Sequence, residues 1–234
     1  MQQINNAAKS LTRKRSMLGT VVALALATST VQAAPYLIME FMAGPDNSTE
    51  NTGVRARMTF SFINDAAGDL VSIEIANTTP PEIGSTLTAI ALEWPFQIAH
   101  PVFADGGEGS YFHHLDYNVN VNPKWINAVD GYDVVLTSDG RFQGGRPHGA
   151  PRVGESDTVI FNVGFSGLTA DELHDAFFDF YYSTASLPLA AARFQEVGVG
   201  GNLSDMVMMS VHIPEPSSLL LLGLGGWLIV KRRS

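Results

Sequence analysis

Ala56-Arg57-Met58-Thr59-Phe60-Ser61-Phe62 alternates apolar and polar side chains. Asn64-Asp65-Ala66-Ala67-Gly68-Asp69 interrupts the pattern, and Leu70-Val71-Ser72-Ile73-Glu74-Ile75-Ala76-Asn77 takes it up again. A period of two puts Ala56, Met58, Phe60 and Phe62 on one face of an extended chain and Arg57, Thr59 and Ser61 on the other, as in a half-buried strand. The Asn, Asp and Gly between the two runs are turn formers. The stretch predicts a strand, a turn and a returning strand.

The pattern spreads outward from there. Thr78-Thr79-Pro80-Pro81-Glu82-Ile83-Gly84-Ser85 breaks it. Residues 86–94 resume it, with Leu87, Ala89, Ala91 and Glu93 opposing Thr88, Ile90, Leu92 and Trp94. Further strands are expected at 36–42, 132–137, 158–165, 190–197 and 206–213. Residues 100–151 are poorly patterned and Gly-rich, which predicts long loops. Thr169-Ala170-Asp171-Glu172 is a capping box that opens one helix, with Leu173, Ala176, Phe177 and Phe180 on one face. That helix is expected to act as a short lid over an open end. The fold class is mainly β, an antiparallel β-sandwich or jelly roll with one short helix.

Composition agrees with an ordered domain. Of 234 residues, 45% are hydrophobic and only 16% charged, enough apolar surface to bury a core. There is no cysteine, which removes disulfides, thiol catalysis, Cys-ligated zinc and iron–sulfur clusters. The net charge of −9 conceals an asymmetry, because both ends of the chain are basic. Residues 34–213 hold Arg55, Arg57, Lys124, Arg141, Arg146, Arg152 and Arg193 against 22 acidic residues, a net charge of −15. Such a surface repels nucleic acid, so no nucleic-acid partner is expected.

The two ends carry addresses. Residues 1–33 have Lys9, Arg13, Lys14 and Arg15, then an apolar stretch of about 11 residues, then small residues ending Val31-Gln32-Ala33. This is a secretory signal peptide, too short for the ~20 residues of a membrane span. Signal peptidase is expected to cut after Ala33. A cut after Ala34 would place Pro35 at the scissile bond. At the other end, residues 214–234 begin with Pro214-Glu215-Pro216 and Ser217-Ser218. They continue through an apolar run from Leu219 to Val230 and end in Lys231-Arg232-Arg233-Ser234. The 12-residue run rises only about 18 Å as a helix, short against a hydrocarbon core of about 30 Å. Gly223, Gly225 and Gly226 weaken it. The basic end stays cytoplasmic, so the run is expected to serve as a transient transmembrane helix in the inner membrane.

Pro-Glu-Pro, apolar run and basic cluster, in that order, resemble the PEP-CTERM sorting signal of Gram-negative bacteria. The resemblance implies recognition by an exosortase, a membrane transpeptidase that cuts near Pro214, Glu215 and Pro216. Delivery to the cell surface or an exopolysaccharide matrix would follow. Phe60-Ser61-Phe62, Gly154-Glu155-Ser156-Asp157 and Ala192-Arg193-Phe194-Gln195-Glu196-Val197-Gly198 are loosely similar to segments of domains that such proteins carry. No catalytic residue carries over with them.

Candidate chemistry in the middle is sparse. His114 and Asp116 fall on one face of a strand and His113 on the other, so a metal site would need His100 or His148 as well. Asp105-Gly106-Gly107-Glu108-Gly109 and Asp130-Gly131-Tyr132-Asp133 are acidic Gly turns able to offer oxygen ligands to Ca²⁺, and ordinary turns have the same composition. No other cofactor is expected. Trp94, Trp125, Tyr111, Tyr117 and Tyr132 could form a sugar-stacking platform, although Trp94 reads as core. Gly164-Phe165-Ser166-Gly167 lacks the spacing of a nucleophile elbow. The expected protein is a non-enzymatic exported one with a structural or interaction role. A carbohydrate-binding module is the alternative, and a hydrolase without a recognisable motif is the second alternative.

Overall fold

The computed structural model describes residues 36–121, 131–142, 147–183 and 189–210. The expected signal peptide with Ala33 and Ala34, the sorting segment with Pro214, Glu215 and Pro216, Lys124, Trp125 and Asp130 lie outside them. Ten strands and one helix are present: β1 (Tyr36–Met42), β2 (Arg55–Ile63), β3 (Leu70–Asn77), β4 (Thr86–Leu92), β5 (Val102–Phe103), β6 (His114–Val119), β7 (Tyr132–Thr137), β8 (Ser156–Asn162), α1 (Ala170–Ser183), β9 (Ala190–Val197) and β10 (Leu203–Ser210).

The strands form one antiparallel, nearly closed sheet in the order β5-β8-β3-β2-β1-β10-β9-β4-β7-β6. The β2–β3 hairpin pairs Ala56 with Asn77 and Ile63 with Leu70, as its alternation requires. β1 pairs along its whole length with β2, but with β10 only at Glu40–Ser210 and Phe41–Met209. The sheet therefore has two five-strand halves joined at a narrow seam. The inward residues of both halves share one core: Met39, Met58, Phe60, Ile73 and Phe161 from one, Ile90, Leu92, Leu136, Phe194 and Val207 from the other. β4 is buried on both faces, because Ala89 and Ala91 join Val135, Ala191, Met206 and Met208 in a second apolar cluster on its outer side.

α1 bridges the halves. The Phe177 ring lies 5.1 Å from Phe62 and 4.9 Å from Trp94, the latter edge-on. The Tyr181 hydroxyl donates to the Glu93 carbonyl and the Tyr182 hydroxyl to that of Ile38. The capping box forms as expected: Glu172 N donates to Thr169 Oγ1 at 3.2 Å, and Thr169 N to Glu172 Oε2 at 2.8 Å. These bonds from Thr169 hold the Glu172 carboxyl below its ordinary range. Among the described residues no helix is long and apolar enough to cross a membrane. The expected transmembrane run, Leu219 to Val230, lies outside them.

Three of the sequence expectations shift. β8 begins two residues and ends three residues earlier than expected, β10 begins three residues earlier, and two short strands, β5 and β6, stand where loops were expected. In β8 and β10 the unread portion contains an aspartate, Asp157 or Asp205, that faces inward and is buried. Asp205, 1% exposed, accepts from Thr49 N, Thr49 Oγ1, Glu50 N, Thr52 N and Thr52 Oγ1. Asp157 accepts from Ser110 N, Ser110 Oγ, Tyr111 N and Phe112 N. Each carboxylate clamps a loop by satisfying amides that would otherwise be orphaned.

Candidate functional site

The residues singled out in the sequence do not converge. The His113 and His114 rings sit 4.4 Å apart, closer than strand alternation predicts, because His113 precedes β6. His100 packs edge-on against Tyr117 at 6.0 Å instead. Among the described residues no group of three His, Cys, Asp or Glu side chains is placed to hold a metal ion.

The Asp105–Gly109 turn has a packing reason for its glycines. A Cβ on Gly107 would stand 2.3 Å from the Ile160 carbonyl oxygen, and one on Gly109 would stand 2.2 Å from Asp157 Oδ2. The Gly107 carbonyl accepts from Ile160 N, so the turn extends the ladder at β8. Close backbone approach thus accounts for these glycines.

The aromatic residues scatter as well. Trp94 is buried, with Nε1 donating to the Ala99 carbonyl. Tyr132 is buried with its hydroxyl on Met208 Sδ. Tyr111 donates to Glu155 and Tyr117 to the Pro101 carbonyl. Ser166, the serine of the Gly-Phe-Ser-Gly stretch, donates both its hydroxyl and its amide to Asp69. Burial works to raise the Asp69 pKa, but the bonds from Ser166 and Asn64 outweigh it and hold the carboxyl low. Ser166 is thereby committed to a loop clamp like those of Asp157 and Asp205.

One site that the sequence reading passed over does assemble. The segment from Trp94 to His100 and the Asp133 side chain line a cleft of about 460 Å³. Asp133 Oδ2 accepts the Trp94 amide at 2.9 Å. Glu93 lies beside it at the end of β4, 9% exposed, with Oε1 lacking a partner. Burial first, then the charge and hydrogen bond of Asp133, push the Glu93 carboxyl up to about 7. Below that pH Glu93 therefore keeps its proton, beside and hydrogen-bonded to Asp133. Phe96 stands at the mouth of the cleft, 91% exposed. A pair of acidic side chains beside an exposed ring can accept hydroxyl donors and stack on an apolar face. Only the register of β4 against β7, which pairs Leu92 with Val134, brings residues 40 positions apart together. No local pattern announces it.

The C-terminal reading is matched independently. A family model described as the PEP-CTERM protein-sorting motif matches residues 212–234. No curated protein and no solved structure matches the chain. The motif begins two residues beyond the last described strand, so sorting signal and β domain adjoin with almost no linker. The chain is therefore an exported protein that carries a PEP-CTERM sorting motif at its C-terminus, is processed by an exosortase and passes through a transient membrane-anchored stage.

Proposed function

We propose that this is a non-enzymatic surface or extracellular-matrix protein whose β domain has a structural or interaction role after exosortase processing releases it from the inner membrane. The observation that carries the reading is the motif at 212–234, which begins two residues beyond the last described strand of a folded domain. Supporting it, Ser166 and the buried aspartates serve loop clamping, and the acidic middle of the chain favours solubility outside the cell. Replacing Pro214-Glu215-Pro216 by three alanines should leave an uncut precursor in the inner membrane. Mass spectrometry of surface-extracted protein decides the matter. An intact C-terminal peptide containing Trp227 in the mature surface form would overturn the reading.

A second reading, a carbohydrate-binding module on the same export route, draws support from Phe96 beside the Glu93–Asp133 pair. An acidic cleft suits neutral or amino sugars better than anionic ones. Binding on a glycan array that is lost in Phe96→Ala would favour it. A broad hydrolase screen on the purified protein addresses catalysis, and turnover of any substrate would overturn the non-enzymatic role.

A further inference from the structure

From the strand directions and the exposed rings, we infer that the end of the sheet where β1 begins faces the bilayer while the protein is anchored, and that Tyr36, Phe96 and Phe165 rest in the lipid headgroup layer. This rests on the membrane-anchored stage argued above.

The directions follow from the ladders. β10 runs antiparallel to β1, with Ser210 opposite Glu40, so the chain leaves β10 heading toward the Tyr36 end. Leu219, where the apolar run starts, lies nine residues beyond Ser210. Fully extended, that stretch reaches about 30 Å. The cut site is closer still, since Pro214 lies four residues beyond Ser210, at most about 14 Å away. The Tyr36 end of the domain is thus held near the membrane by its own tether.

The most exposed aromatic rings are distributed in the same sense, although Val199 and Leu203 are exposed at the opposite end. Ile63 pairs with Leu70, Leu70 with Asn162, and Asn162 with Val102, so these four mark the same end of one half-sheet. Phe165 follows β8 there, held by the bond from Asp69 N to the Gly164 carbonyl. In the other half, Leu92 pairs with both Ala190 and Val134, which puts Phe96 at that end too. Among the described residues, the aromatic side chains more than half exposed are Tyr36 at 60%, Phe165 at 77% and Phe96 at 91%, all at this end. Single exposed apolar residues need no explanation. Three rings gathered at the tethered end fit the interfacial layer, where aromatic side chains concentrate. Asp65 in the β2–β3 turn, and Asp171 and Glu172 in the first turn of α1, whose Ala170 amide donates to Asn64 beside that turn, lie at the same end and keep the contact at headgroup depth, where the ammonium groups of phosphatidylethanolamine can meet them.

The absence of cysteine makes the test clean. Phe96→Cys, Phe165→Cys and Val199→Cys, the last fully exposed in the β9–β10 turn at the opposite end, each receive one fluorescent label. The anchored chain, isolated from cells lacking the processing enzyme, is placed in phosphatidylethanolamine vesicles containing a minority of phosphatidylglycerol and headgroup-nitroxide lipid. Labels at 96 and 165 should be quenched several-fold more than the label at 199. Equal quenching at the three positions, in chains that float with the vesicles and melt like the parent, overturns the orientation. Quenching at 96 and 165 that appears only when the processing enzyme is co-reconstituted assigns the contact to that enzyme and overturns the bilayer as partner. Failure of the chain to float overturns the anchored stage itself.

Discussion

Replacing Glu93 with Gln should stabilise the protein above neutral pH and leave it unchanged in acid. In the folded protein Glu93 holds its proton up to a pH of about 7, whereas an unfolded glutamate releases it near the ordinary 4.5. Over that interval the native state binds more protons than the unfolded state, so stability falls as pH rises. The gap between the two values is worth about 3 kcal/mol once both states are ionised. At 9% exposure solvent screens little of it. Gln keeps the shape and the donor to Asp133 but never ionises, and so resembles the protonated glutamate at every pH. At about 2–4 °C per kcal/mol for a domain of this size, the melting temperature of the variant should exceed that of the parent by about 6–12 °C at pH ~8, and the two should converge only below pH ~4, where the unfolded glutamate is protonated as well. Calorimetry at several pH values reads both. The comparison cancels other titrating groups, including Asp69, whose lowered pKa gives the opposite slope. Parallel pH profiles for parent and variant would refute the raised Glu93 pKa.

Asp205→Ala should cost about 2–4 kcal/mol in urea unfolding, because it removes the buried acceptor of several part-buried donors of the 49–52 loop, with Asp205→Asn losing less. Gly107→Ala should cost about 1–3 kcal/mol through its clash with the Ile160 carbonyl, measured by thermal melting. Thr169→Ala should lose about 1 kcal/mol by removing the cap of α1, seen as a lower melting temperature with hydrogen exchange rising first in the initial helical turn. Millimolar Ca²⁺ should raise the melting temperature no more than Mg²⁺ does, since the Asp105–Gly109 turn is explained by packing; a calcium-specific rise would restore a loop site.

Where the sequence was legible, the reason is a hydrophobic pattern. β1, β2 and β3 alternate between a buried and a less buried face, β7 and β9 are short apolar runs buried for most of their length on both faces, and the extents of all five could be read closely. The failures have physical causes. β6 is exposed along its length, an edge strand with no buried face to create a period. β5 is two residues long. β8 and β10 were read late because hydropathy places an aspartate outside, while Asp157 and Asp205 are turned inward by the loops they clamp. The capping box of α1 was local and therefore readable. The Glu93–Asp133 pair depends on strand register and was not. The sorting motif needed no fold at all, since its order of elements is carried along the chain.

The seam between β1 and β10 sets a timetable. Among the described residues β1 is the first strand and β10 the last, yet they are neighbours at the centre of the strand order. In a chain that crosses the inner membrane N-terminus first, the β1–β2–β3 hairpins can form early. The two halves cannot close until residue 210 has emerged. By then the apolar run that follows is already entering the bilayer. The domain therefore completes its folding as a tethered object, and each chain is retained at the membrane for at least as long as its slowest, longest-range pairing takes to form.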